Sequence, residues 1–191
     1  MLPRLEDPPA PGQGQAGPER GENMAPLDRN WPTRYPRPMP ALSMHAPVGD
    51  LTIFAEDEEI VALEWGWGSV QDPSPVLLRA KAALEAYFDG AALPDDLPLK
   101  PAGTAYRQKV WAALRQIPAG QTRSYAEIAR VVGGSPRSVG GANAANPIPI
   151  FIPCHRVLGS AGLGGYSGGE GLATKRALLD LEKLQSEGTD Q

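Results

Sequence analysis

The stretch SYAEIARVVGGSPRSVGGANAA, residues 124–145, decides how the chain is read. Ser124 stands three residues before Glu127, the capping-box spacing in which two side chains satisfy the free amides of a helix start. The helix it opens runs through Ile128, Ala129 and Val132 and stops at Gly133-Gly134. Ser135-Pro136 opens a second helix, with serine as cap and proline in the first turn, where its missing N–H is not needed. Two short helices joined by a tight glycine turn make a helix-turn-helix. The second of them is poorly built for packing. Arg137 sits in its first turn, where the helix dipole disfavours a cation. Gly140 and Gly141 lie inside it, each costing about 1 kcal/mol relative to alanine. Ala142, Ala144 and Ala145 leave a nearly flat face. Two readings stand side by side: a small-residue helix pressed on its neighbour with Arg137 in solvent, or a helix that lets a phosphate backbone or groove floor come close.

The next segment, Asn146 to Val157, is apolar and rich in proline, which predicts an extended, rigid run that is not a central strand. It holds the single cysteine of the chain, Cys154, followed by His155 and Arg156. A cysteine in an apolar run is ordinarily a small buried hydrophobe. A neighbouring imidazole or cation instead favours thiolate and makes a nucleophile. Neighbours on an extended chain point to opposite faces, so Cys154 and His155 work together only across a bend or a bridging water. Leu172, Lys175, Leu178, Leu179, Leu181 and Glu182 then space a final helix over 172–184.

On the other side, Val110, Trp111, Leu114 and Ile117 mark an amphipathic helix between Thr104 and the turn Pro118-Ala119-Gly120. A proline-rich linker around 94–101 leads back to a smaller unit. There Val48, Leu51, Ile53 and Phe54, then Ile60, Val61, Leu63 and Trp65, predict two strands in a hairpin around Glu56-Asp57-Glu58-Glu59. Ser74-Pro75 starts a helix carrying Leu77, Ala80, Leu84, Tyr87 and Phe88, and Gly90 closes it. Nothing in this unit reads as catalytic. Residues 1–41 contain 10 of the 21 prolines and little periodicity, and read as a disordered tail, with Met24, Met39 and Met44 as alternative starts. The divisions expected are this tail, an α+β domain over 42–98, a second domain over 101–185 and a short tail over 186–191.

The totals, 191 residues with 41% hydrophobic and 21% charged side chains, are those of a soluble globular protein. No run of 18 apolar residues predicts a membrane span, and the N-terminus lacks the apolar segment of a secretory signal. One cysteine excludes an internal disulfide and, with only His45 and His155 beside it, leaves a zinc site undersupplied. A lone thiol fits the reducing cytoplasm. The net charge of −4 hides an asymmetry: residues 1–100 hold 8 basic and 16 acidic side chains, residues 101–182 hold 9 and 4. The second half can meet a phosphate backbone and the first cannot.

Pro153-Cys154-His155-Arg156, preceded by Ile150-Phe151-Ile152, resembles the active-site signature of the methylated-DNA–protein-cysteine methyltransferases, the 6-O-alkylguanine-DNA alkyltransferase family. Arg137 to Pro147 resembles the family's DNA-binding helix and the asparagine hinge after it. Ser124-Tyr125 resembles the start of its first recognition-motif helix, and Tyr166-Ser167-Gly168-Gly169 its pocket loop. The likeness is strong over 104–182 and weaker over 45–90. It implies an α+β fold, with an N-terminal ribonuclease-H-like sheet-and-helix domain and a C-terminal winged-helix-like helix-turn-helix domain. It implies a stoichiometric, irreversible transfer of a methyl or alkyl group from the 6-oxygen of guanine to Cys154, with the 4-oxygen of thymine a second candidate donor. In this scheme His155 takes the thiol proton through a water and Glu182 orients His155. Asn146 fixes the turn into the active-site segment, and Tyr125 presses on the adjoining phosphate and the guanine ring. Arg137 fills the gap left by a flipped base, with Ser124, Gly140, Gly141 and Ala142 along the DNA-facing surface. Ser167 and nearby amides bond the guanine oxygen, and Pro149, Val157 and Tyr166 wall the pocket. The implied partner of this monomer is double-stranded DNA entered through the minor groove, with no membrane and no cofactor. Some relatives carry zinc in the first domain; this chain lacks those ligands, so none is expected. The stretch Gly159–Gly165 and the pair Glu170-Gly171 depart in length, which leaves the pocket width open.

The same residues count against three other readings. A lesion-binding relative without transfer would replace the active cysteine, and Cys154 is present. A helix-turn-helix transcription factor explains the two helices but not Cys154, His155 and Glu182 together. A cysteine hydrolase needs an oxyanion hole, for which the sequence gives no sign.

Overall fold

Pairing begins one strand earlier than the hydrophobic pattern suggests. The computed structural model describes residues 39–160 and 162–188. Strands β1 (Ala41–Met44), β2 (Leu51–Glu56) and β3 (Glu59–Trp65) form an antiparallel sheet in that order. The hairpin expected around Glu56–Glu59 is present, but Glu56 and Glu59 pair, so the β2–β3 turn is two residues, with Asp57 and Glu58 both at positive φ (51° and 59°), the primed geometry that matches strand twist. Strand β1 was not foreseen. Its residue Ser43 pairs with Thr52, and their buried hydroxyls bond each other at 2.9 Å, so a polar pair occupies a position where alternation expects an apolar one. The expected tail therefore ends before Ala41, and its residues 1–38 lie outside those described. Helix α1 (Pro75–Phe88) lies across the sheet and buries Leu77, Ala80, Leu84 and Tyr87 against Leu51, Ile53 and Leu63.

The linker is part of the sheet. Leu99 pairs in parallel with Ile60: the Ile60 amide donates to the Pro98 carbonyl and the Lys100 amide to the Ile60 carbonyl, both at 2.8 Å. Helix α2 (Ala105–Arg115) follows, capped by Thr104. Helix α3 (Tyr125–Val132) carries the Ser124–Glu127 capping box, and α4 (Pro136–Ala144) a second box between Ser135 and Ser138. Gly133 (φ 83°) and Gly134 (φ 98°) make the turn between them. A Cβ on Gly134 would stand 2.6 Å from the Tyr106 hydroxyl, so that tight turn admits only glycine. Helix α5 (Leu172–Gly188) runs past the expected end at 184 and into the expected tail. Val110, Trp111, Leu114, Val139, Ile148 and Leu178 join Leu51, Ile53, Leu77 and Leu84 in one continuous core beneath both halves.

The segment from Asn146 to Val157 is not extended, which corrects the sequence expectation. Three prolines remove ladder donors, and side chains take over the backbone's bonding. Asn146 closes a tight loop: its Nδ2 donates to the Ile152 carbonyl at 2.8 Å, and its Oδ1 accepts from the Ile148 amide at 3.1 Å. Inside that loop Ile150 is held at φ 71° with its side chain fully buried, a conformation costing roughly 1–2 kcal/mol for a β-branched residue. The chain then turns through a 3-10 turn at Cys154–Arg156 and into β5 (Val157–Leu158), which pairs in parallel with β4 (Arg123–Ser124). The Leu63 amide of β3 donates to the Pro147 carbonyl at 2.9 Å, so the first domain's sheet edge supports the loop directly.

Candidate active site

Cys154 stands at the first residue of the 3-10 turn, and that turn supplies the bend an extended segment would have lacked. Only 5% of Cys154 is exposed. The backbone is pinned from α4, where Asn143 Nδ2 donates to the Cys154 carbonyl at 3.2 Å. Burial pushes the thiol's pKa up, while the polar groups of Asn146 and Tyr166 and the charge of Lys175 pull against it. An isolated thiol here stays protonated near neutrality, so it needs a base.

His155, the next residue, is held by a buried carboxylate. His155 is fully buried, and its Nε2 lies 2.8 Å from Glu182 Oε1. Glu182, also fully buried, receives four further donors: Tyr87 Oη at 2.7 Å and Arg156 Nη2 at 2.8 Å on Oε1, Arg156 Nε at 2.9 Å and the Gly120 amide at 3.3 Å on Oε2. Burial alone would raise this carboxyl. The bonds and charges of His155 and Arg156 outweigh it and hold the pKa at about 2. Glu182 is therefore an ionised acceptor at any working pH, and His155 must carry its proton on Nε2. That leaves Nδ1 with a free lone pair, and Nδ1 is a buried ring atom without a protein partner. Burial lowers the pKa of His155 more than Glu182 raises it, so the ring is neutral and able to accept a proton.

Two hollows meet at Cys154, each about 450 Å³. The first is walled by Tyr125 of α3, by Pro136, Gly140, Asn143 and Ala144 of α4, and by the loop Gly165-Tyr166-Ser167. The second opens toward the first domain, between Leu63, Glu64 and Trp65 of β3 and the residues Asn146, Pro147 and Pro149. The pocket loop between them is held from both sides. Lys175 is fully buried and its Nζ donates to the carbonyls of Val157 (2.6 Å), Gly165 (3.3 Å) and Leu163. Trp65 packs against Tyr166 edge to face at 6.2 Å and lies so close to Gly168 that a Cβ there would stand 2.5 Å from its ring.

The structure gathers most of the residues singled out in the sequence. Cys154, His155, Glu182 and Asn146 form one cluster, and Tyr125, Gly140, Tyr166, Ser167 and Pro149 line the hollows around it. Two expectations are corrected. Val157 lines neither hollow, because it is fully buried behind the 3-10 turn in the pair with Arg123. Ala142 faces inward, where its carbonyl accepts from Trp111 Nε1 at 2.9 Å. The exposed face of α4 instead carries Arg137, Gly141 and Ala144, at the i, i+4, i+7 spacing of one helix side. Arg137 has no ion-pair partner among the described residues, and the Ser124 side chain is engaged in the α3 cap. Tyr87, Asn143, Trp65 and Lys175 were not read as site residues, and Arg156, read as a cation beside the thiol, instead pairs with Glu182. A polar Asn143 on the buried side of α4 was a signal available in the sequence; Tyr87 gave none, since it fits its helix as an ordinary core position.

Known proteins resemble this chain over both of its halves. Residues 42–101 match the family described as 6-O-methylguanine DNA methyltransferase, ribonuclease-like domain, and residues 105–184 match its DNA binding domain. The constitutive methylated-DNA–protein-cysteine methyltransferase of Bacillus subtilis is 43% identical over 153 residues, spanning 72% of this chain and 92% of that protein. The Mycobacterium leprae protein of that name is 42% identical over 154 residues, spanning 75% and 92%. Among solved structures, the Mycobacterium tuberculosis O6-methylguanine methyltransferase superposes with a TM-score of 0.68 at 39% identity, covering 77% of this chain and 94% of that one. The Mycobacterium tuberculosis protein solved in complex with DNA gives 0.68 at 41% identity, covering 76% and 93%.

Proposed function

The chain belongs to the 6-O-methylguanine DNA methyltransferase family, and on that premise we propose that it repairs alkylated DNA by moving the alkyl group from guanine onto Cys154. The observation that carries this is the neutral His155, fully buried, with Nε2 committed to an ionised Glu182 and Nδ1 free, on the residue that follows the single cysteine in the same 3-10 turn. The thiol proton passes to His155 Nδ1 through a bridging water. The thiolate attacks the alkyl carbon in line with the guanine 6-oxygen; the sulfur–carbon bond forms as the carbon–oxygen bond breaks. The electron pair leaves with guanine, which regains a ring proton in place of the lost alkyl group. Ser167 and the loop amides bond the oxygen as it gains charge. A thioether has no route back to thiolate here, so each molecule acts once, and the chemistry needs neither metal nor cofactor.

The first hollow receives the guanine, taken out of the stack, because helix α4 walls it beside Cys154 and carries the exposed Arg137 in its first turn. The flat Arg137–Gly141–Ala144 face suits close approach to the minor groove, with the arginine in the gap left by the flipped base. One chain holds Cys154, His155, Glu182 and Asn146 together, which supports action as a monomer. No helix among the described residues is long and apolar enough to cross a membrane, and a reaction needing DNA and a reduced thiol fits the cytoplasm. Incubation with duplex DNA carrying labelled methylguanine tests the reading. Label is expected on protein at no more than one per chain, with mass spectrometry placing one added methyl on Cys154. Cys154→Ala is expected to bind the lesion and take no label; label on that variant, or none on the parent, overturns the proposal.

A further inference from the structure

Tyr87 belongs to the first domain, on α1, yet its hydroxyl reaches into the charged centre of the second. It is 1% exposed and donates at 2.7 Å to Glu182 Oε1, the oxygen that also bonds His155 Nε2 and Arg156 Nη2. One carboxylate oxygen offers about two lone-pair directions, so three donors share it. One helical turn further on, Gln185 Nε2 donates to the Tyr87 carbonyl at 2.8 Å, which fixes α1 and α5 against each other at this point. The groups facing Glu182 are thus Tyr87 from α1, His155 and Arg156 from the 3-10 turn and the Gly120 amide, while Arg156 and Lys175 add positive charge around His155. Burial and the Glu182 charge keep the Tyr87 phenol protonated, so it is a permanent donor.

We propose that Tyr87 is a positioning residue of the transfer reaction: its hydroxyl fixes the Glu182 carboxylate and, by sharing Oε1, sets how strongly that carboxylate draws on the His155 ring. The inference rests on the reading of Cys154, His155 and Glu182 given above. It makes the first domain a tuner of the base as well as a support. Removing the hydroxyl leaves more of the Oε1 charge to His155, favours the imidazolium and raises the pH at which the base is freed.

The test compares the full-length parent with Tyr87→Phe, which keeps the ring in the core, and with 3,5-difluorotyrosine at position 87, which keeps the shape and strengthens the donor. The rate of methyl transfer from a methylguanine duplex is followed from pH 5 to 9. The acid limb of the profile reports the base. It is expected to move up by about one pH unit in Tyr87→Phe and down in the fluorinated protein. A profile parallel to the parent's, whether slower throughout or unchanged, overturns the proposal and leaves Tyr87 a packing residue. If Tyr87→Phe does not fold, the absence of a downward shift in the fluorinated protein overturns it alone. Failure of the parent to methylate Cys154 would instead remove the underlying function, so the two failures are distinguishable.

Discussion

Replacement of Glu182 by glutamine removes one charge from the most densely bonded point of the molecule. The Glu182 pKa is lowered from an ordinary 4.5 to about 2. At 1.36 kcal/mol per tenfold change, that is about 3 kcal/mol of folding free energy. An independent route gives the same size: the variant strands the buried Arg156 guanidinium, and breaking a buried pair costs roughly 3–5 kcal/mol. The sign follows from a folded pKa below the unfolded one. The stabilisation is complete above about pH 4.5 and disappears as pH falls through about 2. Urea unfolding of parent and Glu182→Gln should differ by about 3 kcal/mol at pH 7, a midpoint difference of roughly 6–12 °C in thermal unfolding. The gap should close toward pH 2, where the parent's own carboxyl is protonated and Arg156 is unpaired in both proteins. Subtracting the two curves cancels the other carboxylates. A difference below about 1 kcal/mol at pH 7, or one that stays constant down to pH 2, would refute the account of Glu182 as an ionised, fully paired hub.

His155→Ala should slow transfer near neutrality by about 10²–10⁴-fold and recover at high pH, where even a thiol raised by burial ionises unaided; a loss equal at all pH values makes His155 structural. Arg137→Ala should lose at least about tenfold on duplex DNA and little on a free benzylguanine substrate, which needs no flipping, with Arg137→Lys recovering little because an ammonium cannot stack. Equal losses on both substrates count against the role of Arg137 in the base gap. Gly168→Ala should slow transfer on both substrates by forcing the pocket loop off the Trp65 ring, and adding Trp65→Phe, a smaller ring, should restore part of the rate; a double variant no faster than Gly168→Ala removes Trp65 from the explanation.

The start of α3, its end and the start of α4 were legible almost to the residue, because the Ser124–Glu127 capping box, Ser135-Pro136 and the paired glycines act within a few positions of chain. The β2–β3 hairpin was legible for the same reason. Strand β1 was hidden by Ser43, whose partner Thr52 satisfies it only across the sheet. The Asn146–Pro153 loop was misread because prolines signal what a chain cannot do, and the fold it adopts is decided by the Asn146 amide reaching Ile152. Cys154 and His155 stood out as adjacent reactive side chains. What surrounds Glu182 did not, because Tyr87 is 95 positions away and looks like any core aromatic at a helical spacing.

That separation has a bearing on when the molecule becomes reactive. Glu182 meets His155 across 27 positions, Arg156 meets Ile117 across 39, and Tyr87 meets Glu182 across 95. Contacts of such span require large loops to close, and the closure costs entropy before the contact rewards it. A chain still assembling therefore carries Cys154 with no braced imidazole beside it, at the reactivity of an ordinary thiol. Once α5 docks against α1, the sulfur is armed and sheltered in the same event, reachable by what fits the hollow and closed to chance electrophiles in bulk solvent. For a reagent consumed by one use, that coupling is an interlock: reactivity and shelter arrive together.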